Sequence, residues 1–512
     1  MSTFNTYIFI IDIIITGVTM KKVDSKKIKT TNKTTKKSKR HLNFKLIGIL
    51  LFIFTFITIF LLIKCNLFSI PTLLIISVVL LLMDIILFKG LTSKLKIWCK
   101  NVLSFIVFII IISHIIFYIF GNNLLSFLSS IMDTGIRTYT YNVYVLDKSD
   151  YKELKDLNNK LISYIVNDNI KDINKELDKT IKYKTRISED INKLMDGIID
   201  EEVDAIVLDE SYESIINEYD ADNFKKLRKI YTIEIQTKMQ IEKSNKNISS
   251  QPFVIYISGI DTMGHISSNA RSDVNILLAV NPNTKKVAIV STPRDYYLKL
   301  PSKGKYDKLT HAGIYGINES ISSLANLYGV NVDYYIRINF SSFIDIIDTI
   351  GGIEVDVEKD FCESNEERSL AKKDLICLKQ GVHTLNGRES LAYARNRHAF
   401  ASGDLARGNH QMEIIAATIR KLNSKEILKN YNKLIESVKG KMLTNMNIDD
   451  IYKIARKELK DDKKYEIASY TPKISDMNKL ADCYSIGDYA YVLEGDEESV
   501  KDISLKLKEL LN

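Results

Sequence analysis

Three apolar runs near the N-terminus set the first limit on this chain. They are "FKLIGILLFIFTFITIFLL" (44–62), "SIPTLLIISVVLLLMDIILF" (69–88) and "VLSFIVFIIIISHIIFYIF" (102–120). Each holds about twenty residues, enough at about 1.5 Å per residue to cross a hydrocarbon core about 30 Å thick. Backbone amides in lipid must be satisfied within the segment, so each run is expected to be a spanning helix. Asp84 and His114 interrupt them and are expected to find partners inside a helix bundle or to lie near a helix end.

Charge sets the expected orientation. The formal net charge is +8, yet residues 21–40 hold ten Lys/Arg against one Asp. The excess is therefore a local tail, not a basic surface suited to a nucleic-acid duplex, and no nucleic-acid partner is expected. The connection after the second run carries Lys89, Lys94, Lys96 and Lys100, whereas the first carries only Lys64. The positive-inside rule puts the tail and the second connection in the cytoplasm and everything after residue 121 outside. The tail also suits contact with anionic lipid, and Trp98 suits an interfacial anchor. "YIFIIDIIITGV" (7–18) is too short to span, and Met20 precedes the basic tail, so residues 1–19 read as an upstream extension. The spans are too long and too many for a cleaved signal peptide.

Beyond the membrane runs the chain reads as two blocks. Residues 121–250 are polar, with strand-like runs at 141–146, 203–208 and 229–235. "DGIIDEEVDAIVLDESYESIINEY" sets a strand between two helices, an α/β unit whose carboxylates read as a solvated face. "KSNKNISSQP" (243–252) reads as a linker. In residues 253–420, strand-like runs at 253–258, 274–280, 286–291, 334–338 and 353–357 alternate with helical patterns at 318–329 and 341–352. That alternation predicts an α/β sandwich around a largely central sheet. Residues 421–512 add a long helix, a strand or two around 487–493, and a terminal amphipathic helix.

Polar groups gather where the second block's strands end: Asp261, then Arg271 and Asp273, then Arg294 and Asp295, then Lys308 and His311. Loops at strand ends build ligand sites in α/β sheets. "YARNRHAFASGDLARGNHQ" (393–411) adds Arg395, Arg397 and Arg407. Asn386 and Glu389 have capping-box spacing, so a short helix should run to about Arg395. Asp404 is a candidate cap for a second helix, on which Arg407 and Gln411 share a face. One such arginine is most often a surface salt bridge. Five of them, with a lysine and two aspartates at loop junctions, suit either a carboxylate network or a polyanion. Arg grips a diphosphate with two parallel hydrogen bonds. A diphosphate also chelates Mg2+, which asks for only one or two carboxylates, and Asp261 and Asp273 meet that need. Such a set resembles a phosphoryl-transfer site.

Other chemistries lack their signatures. No zinc spacing exists among the five cysteines, though Cys362 and Cys377 can pair if that region lies outside the cell. His311 and His410 are better placed than His265, His383 or His398, but no HxxxH pair occurs. There is no P-loop, which argues against ATP or GTP as donor, and no G-x-S-x-G elbow.

The ordered motifs "RSDVNILLAVNPNTKKVAIVSTPRD", "DKLTHA", "GVHTLNGRESLAYARNRHAF" and "GDLARGNHQ" resemble the LytR-CpsA-Psr family over about residues 253–422. The block with "VDAIVLDES" resembles the accessory domain of some members. The apolar runs give three N-terminal transmembrane helices (44–120), where the family usually has one, behind an upstream extension and tail (1–43). An extracytoplasmic accessory domain and linker (121–250) follow, then a catalytic α/β sandwich (251–422) completed by 423–512. The sandwich would have a central mixed sheet and a polyprenyl pocket. The implied activity is a membrane-anchored phosphotransferase. It moves a glycopolymer (teichoic acid, capsule or secondary wall polysaccharide) from polyprenyl diphosphate to peptidoglycan. By position, Asp261 and Asp273 match Mg2+ ligands. Arg271, Arg294, Arg395, Arg397, Arg407 and Gln411 match diphosphate-binding residues, and Lys308 falls where a basic residue is usual. Asp261, Asp273, Arg395 and Arg397 are the implied catalytic set. Thr310 and His410 depart from the usual Asn and Arg. Hydrolysis of polyprenyl diphosphates, or a regulatory binding role, are the alternative activities.

Overall fold

The computed structural model describes residues 32–65, 70–165, 167, 169–239, 244, 246–260, 269–365, 369, 371–397, 399–400, 403–422, 442–447, 449–451, 453–454, 457 and 463–512. The chain forms two compact units, Met1–Ile119 and Phe120–Asn512.

Among the described residues, three helices belong to the first unit: α1 (Asn32–Cys65), α2 (Ile70–Thr92) and α3 (Ile97–Ile131), the last running on past its end. Stretches 43–64, 70–92 and 97–123 are long and apolar enough to cross a membrane. Asp84 and His114 are both buried. His114 Nε2 lies 3.0 Å from Thr55 Oγ1 of a neighbouring helix, the expected kind of partner.

The second unit contains two mixed sheets. The first has order β3-β2-β4-β1-β5. Its strands are β1 (Ile136–Leu146), β2 (Leu161–Ile165), β3 (Lys184–Ser188), β4 (Ala205–Asp209) and β5 (Leu227–Lys238). Helices α4 (Ile170–Leu177), α5 (Ile191–Ile199) and α6 (Glu210–Tyr219) accompany it. Asp209 ends β4 and caps α6, its carboxylate accepting from Ser211 N at 2.9 Å. A strand therefore delivers α6 directly, with no intervening loop.

The second sheet builds the frame of the candidate site. Its order is β16-β11-β6-β7-β8-β17. The strands are β6 (Phe253–Ile260), β7 (Ser272–Asn281), β8 (Lys286–Ser291), β11 (Tyr334–Asn339), β16 (Met442–Thr444) and β17 (Glu466–Tyr470). Pairing is parallel for β11/β6 and β8/β17 and antiparallel elsewhere. Alternate side chains enter two cores. On one face Val254, Tyr256, Leu277, Ala279 and Val290 pack with α7 (Ile317–Tyr328) and the C-terminal α11 (Glu497–Leu511). On the other, Ile255, Ile276 and Ile289 pack with Met412 and Ala416 of α10 (Asp404–Leu422). Fully burying each such aliphatic side chain contributes about 1.5–3 kcal/mol, so helices on both faces hold the sandwich closed.

Two expectations need correction. The run 353–357 is a strand, β12 (Ile353–Val357), but it pairs with β15 (Gly381–Leu385) in a separate ribbon and not with the central sheet. Its burial strictly alternates, which fits a ribbon lying on one core. Asp404 is the first residue of α10 and not its cap. The long helix expected after residue 421 falls mostly on 423–441, outside the described residues.

The candidate anion site

The local folding of β7 aims the central carboxylate. Gly259 pairs with Val274 and Ile260 pairs with Ser272, so Asp273 is the extra residue of a β-bulge. A bulge interrupts strand alternation and re-aims its side chain. The entry to β7 also passes tightly under a helical turn. A Cβ on Gly313 would lie 2.4 Å from the Ala270 carbonyl oxygen and 2.9 Å from Ser272 N, so only glycine fits there.

Arg294 occupies the centre of the charge network. Its Nη1 donates to Asp273 Oδ1 at 2.9 Å, and its Nε lies 3.5 Å from Asp295 Oδ2. Thr310 Oγ1 donates to the same Asp273 oxygen at 3.3 Å, so the residue standing where Asn is usual still serves the carboxylate. The Arg294 loop is pinned by Thr310 N donating to the Arg294 carbonyl at 2.8 Å and by Leu493 N donating to the Asp295 carbonyl, also at 2.8 Å. Burial opposes ionisation of Asp273. Arg294, Arg271 and Arg407 outweigh it and hold its carboxyl below the usual range.

Lys308 closes one side. Its Nζ contacts Asp295 Oδ1 at 3.0 Å, with both side chains buried. Burial opposes its charge, but Asp295 and Tyr219 more than restore it, and its pKa rises. Its ammonium lies 5.6 Å from the Tyr219 ring and 5.8 Å from the Tyr491 ring.

The remaining arginines come from α9 (Gly387–Arg395) and α10. The predicted capping box exists: Glu389 N donates to Asn386 Oδ1 at 3.0 Å, and Asn386 N donates to Glu389 Oε2 at 2.9 Å. Arg395, on the last turn of α9, donates to the Asn365 carbonyl at 3.1 Å and stacks 5.4 Å over the Phe340 ring. Gln411, four residues after Arg407 on α10, donates to the Ala394 carbonyl at 3.4 Å. Gln411 thus ties the helix of Arg407 to the helix of Arg395. Arg397 lies half-buried just beyond α9. Asn365 follows a hairpin of β13 (Phe361–Glu363) and β14 (Ile376–Leu378), and Cys362 and Cys377 form a disulfide across it.

Both better-placed histidines are buried in the core. His311 Nδ1 sits 2.7 Å from Asp307 Oδ1 inside the core, and Asp307 also accepts from Ser485 N at 2.7 Å. His410 is buried between the rings of Tyr393 (4.3 Å) and Phe400 (4.9 Å). Burial pushes its imidazole down to about 4, so it is neutral.

One site residue escaped the sequence reading. Glu218, on α6 of the other sheet, pairs with Arg271 and lies 3.6 Å from Arg294 Nη2. Burial raises its carboxyl, but Arg271 and Arg294 hold it below its usual range. The available signal was its place three residues after the apolar Ile215 on one helical face.

The donor set suits a hard cation: an ionised carboxylate at Asp273, with arginines alongside for phosphate oxygens. The second expected ligand, Asp261, lies outside the described residues, directly after Ile260, which pairs beside Asp273. No group of three or more His, Cys, Asp or Glu able to hold a metal occurs among the described residues, and a diphosphate-chelated Mg2+ asks for none.

An apolar strip lies near these groups. Ile257, Val274, Leu278 and Ile336 belong to central strands yet are only half-buried, on the face toward α10. A central sheet face is ordinarily covered, and these four side chains are covered only in part.

The LytR_cpsA_psr family model matches residues 222–509. The polyisoprenyl-teichoic acid–peptidoglycan teichoic acid transferase TagU of Bacillus licheniformis is 31% identical over 285 residues, 53% of this chain and 84% of that protein. TagU of Bacillus subtilis is 31% identical over 280 residues, 53% of this chain and 82% of its own. The crystal structure of B. subtilis TagV is 28% identical across 51% of this chain and 98% of that chain, with a TM-score of 0.43.

Proposed function

Because the chain belongs to the LytR_cpsA_psr family, we propose that it is a membrane-anchored phosphotransferase moving a teichoic-acid-type glycopolymer from a polyprenyl diphosphate to peptidoglycan. The three apolar helices anchor it. The flanking charge argues for a cytoplasmic N-terminus and an extracytoplasmic catalytic part.

The observation that carries this reading is the Arg294 network. A guanidinium fork, an ionised aspartate and further arginines meet at the strand ends beside a half-covered apolar strip. Arg271, Arg294 and Arg407 bind the phosphate oxygens, and Arg395, Arg397 and Gln411 extend that cradle. Lys308 adds charge behind Asp295. Asp273 and Asp261 would hold Mg2+, which when bound neutralises diphosphate charge. A peptidoglycan hydroxyl attacks the phosphorus nearest the polymer. The bond from that phosphorus to the bridging oxygen breaks, and polyprenyl phosphate leaves. The hydroxyl proton passes to an aspartate of the site. Asp273, held ionised by arginines, can orient the hydroxyl, and Asp273 or Asp261 takes up its proton. Arginines already in place stabilise the charge on the leaving phosphate.

The test is transfer of labelled polymer from polyprenyl diphosphate to peptidoglycan by the full-length protein in lipid nanodiscs. Arg294→Ala and Asp273→Ala should abolish transfer and remain folded, and EDTA should suppress it until Mg2+ is restored. Release of free polymer without peptidoglycan, at the rate seen with it, would instead assign a hydrolase.

A further inference from the structure

The family reading leaves the first sheet without a task, yet its helix α6 ends against the arginines. Ile215 packs with Ile314, Ala481 and Val492, and Tyr212 lies with its hydroxyl 3.3 Å from that of Tyr315. That docking brings the last turn of α6 over the site. There Glu218 pairs with Arg271 and reaches Arg294, while Tyr219 faces Lys308. A carboxylate in the last turn of a helix is disfavoured by the helix dipole. The arginines, not the helix, therefore account for its placement.

Exposure gives the order of approach. The Glu218 side chain is 36% exposed, against 13% for Arg271 and 12% for Arg294. A ligand arriving from solvent meets the carboxylate first and the guanidinium groups behind it. A carboxylate and a phosphate compete for the same forked donors.

We infer that Glu218 is a positioning residue and a displaceable counter-ion: it holds Arg271 and Arg294 together in the free protein and yields their N–H groups to the substrate's phosphates. This rests on the diphosphate reading above. The first sheet then forms part of the site and sets its affinity for anions.

The experiment uses full-length protein in nanodiscs with farnesyl diphosphate as probe, measured by calorimetry. Glu218→Gln keeps the shape and removes the charge, so binding should tighten by roughly tenfold. Glu218→Asp, which restores the charge, should return affinity toward wild type. In transfer assays the gain should appear as a lower KM with kcat little changed. Equal or weaker binding by Glu218→Gln would overturn the inference and leave the function standing. Failure of wild-type protein to bind farnesyl diphosphate would overturn both. A second measurement needs no variant. Hydrogen exchange across residues 210–219 of wild-type protein should quicken when farnesyl diphosphate is added, because the anchor of α6 is released. Unchanged or slower exchange would count against displacement.

Discussion

Arg294 donates to Asp273 at 2.9 Å, and the same guanidinium lies 3.6 Å from Glu218, on helix α6 beside the other sheet. A single planar group thus spans the bulged strand and α6. Lysine keeps the charge but has no fork. Arg294→Lys is expected to lower polymer transfer by roughly 10²–10³-fold, the usual loss when an oriented donor is removed. Thermal melting should stay close to wild type. Transfer within a factor of a few of wild type would remove Arg294 from its central role.

Gly313 tests how the carboxylate is aimed. A methyl group there would press on the Ala270 carbonyl and Ser272 N. Gly313→Ala should cost about 1–3 kcal/mol of stability. It should also lower activity beyond that cost, because the displaced segment carries Arg271 and Asp273. Urea unfolding and transfer rate, measured together, check both effects.

His410 predicts a pH dependence of stability. Its imidazole is pushed down to about 4 in the folded protein, against about 6.5 in an unfolded chain. The unfolded state therefore binds more protons between these values. The contribution is fully present above about pH 6.5 and is lost as pH falls toward 4, amounting to about 2 kcal/mol by pH 5. Tm should fall between pH 7 and pH 5 in wild type and fall less in His410→Phe. Parallel curves for the two proteins would contradict the burial argument.

The disulfide offers a redox test. Cys362 and Cys377 are 15 residues apart, and closing such a loop is worth about 3 kcal/mol in the chain-entropy view. The same hairpin leads to Asn365, whose carbonyl accepts from Arg395. The double variant Cys362→Ser, Cys377→Ser should lower Tm and raise KM for the lipid substrate. An unchanged KM would show that Arg395 does not depend on the hairpin.

Much of this architecture was legible from local chemistry. The apolar lengths of 44–62, 69–88 and 102–120 match the helices because spanning length is fixed by rise per residue. The capping box at Asn386 and Glu389 is observed because it needs no partner from elsewhere. Long-range relations were harder to read. Strict alternation in 353–357 marks a strand but does not name its neighbour, and the neighbour is β15. The bulge at Asp273 leaves no trace in the alternation of "RSDVNILLAV". Glu218 read as solvated because its arginines lie more than fifty residues away in sequence. His410 read as a candidate because a ring sandwiched between aromatics looks, in sequence, like any other histidine near arginines.

In the proposed function, the half-covered strip along β7 would act as a ruler. Val274 to Leu278 is four steps along the strand, about 13 Å at roughly 3.3 Å per residue. Only the opening length of a long isoprenoid can lie flat there, so the grip should read the first few units and ignore the rest. A short soluble analogue should therefore bind nearly as well as a full-length carrier, and chain-length selectivity should plateau early.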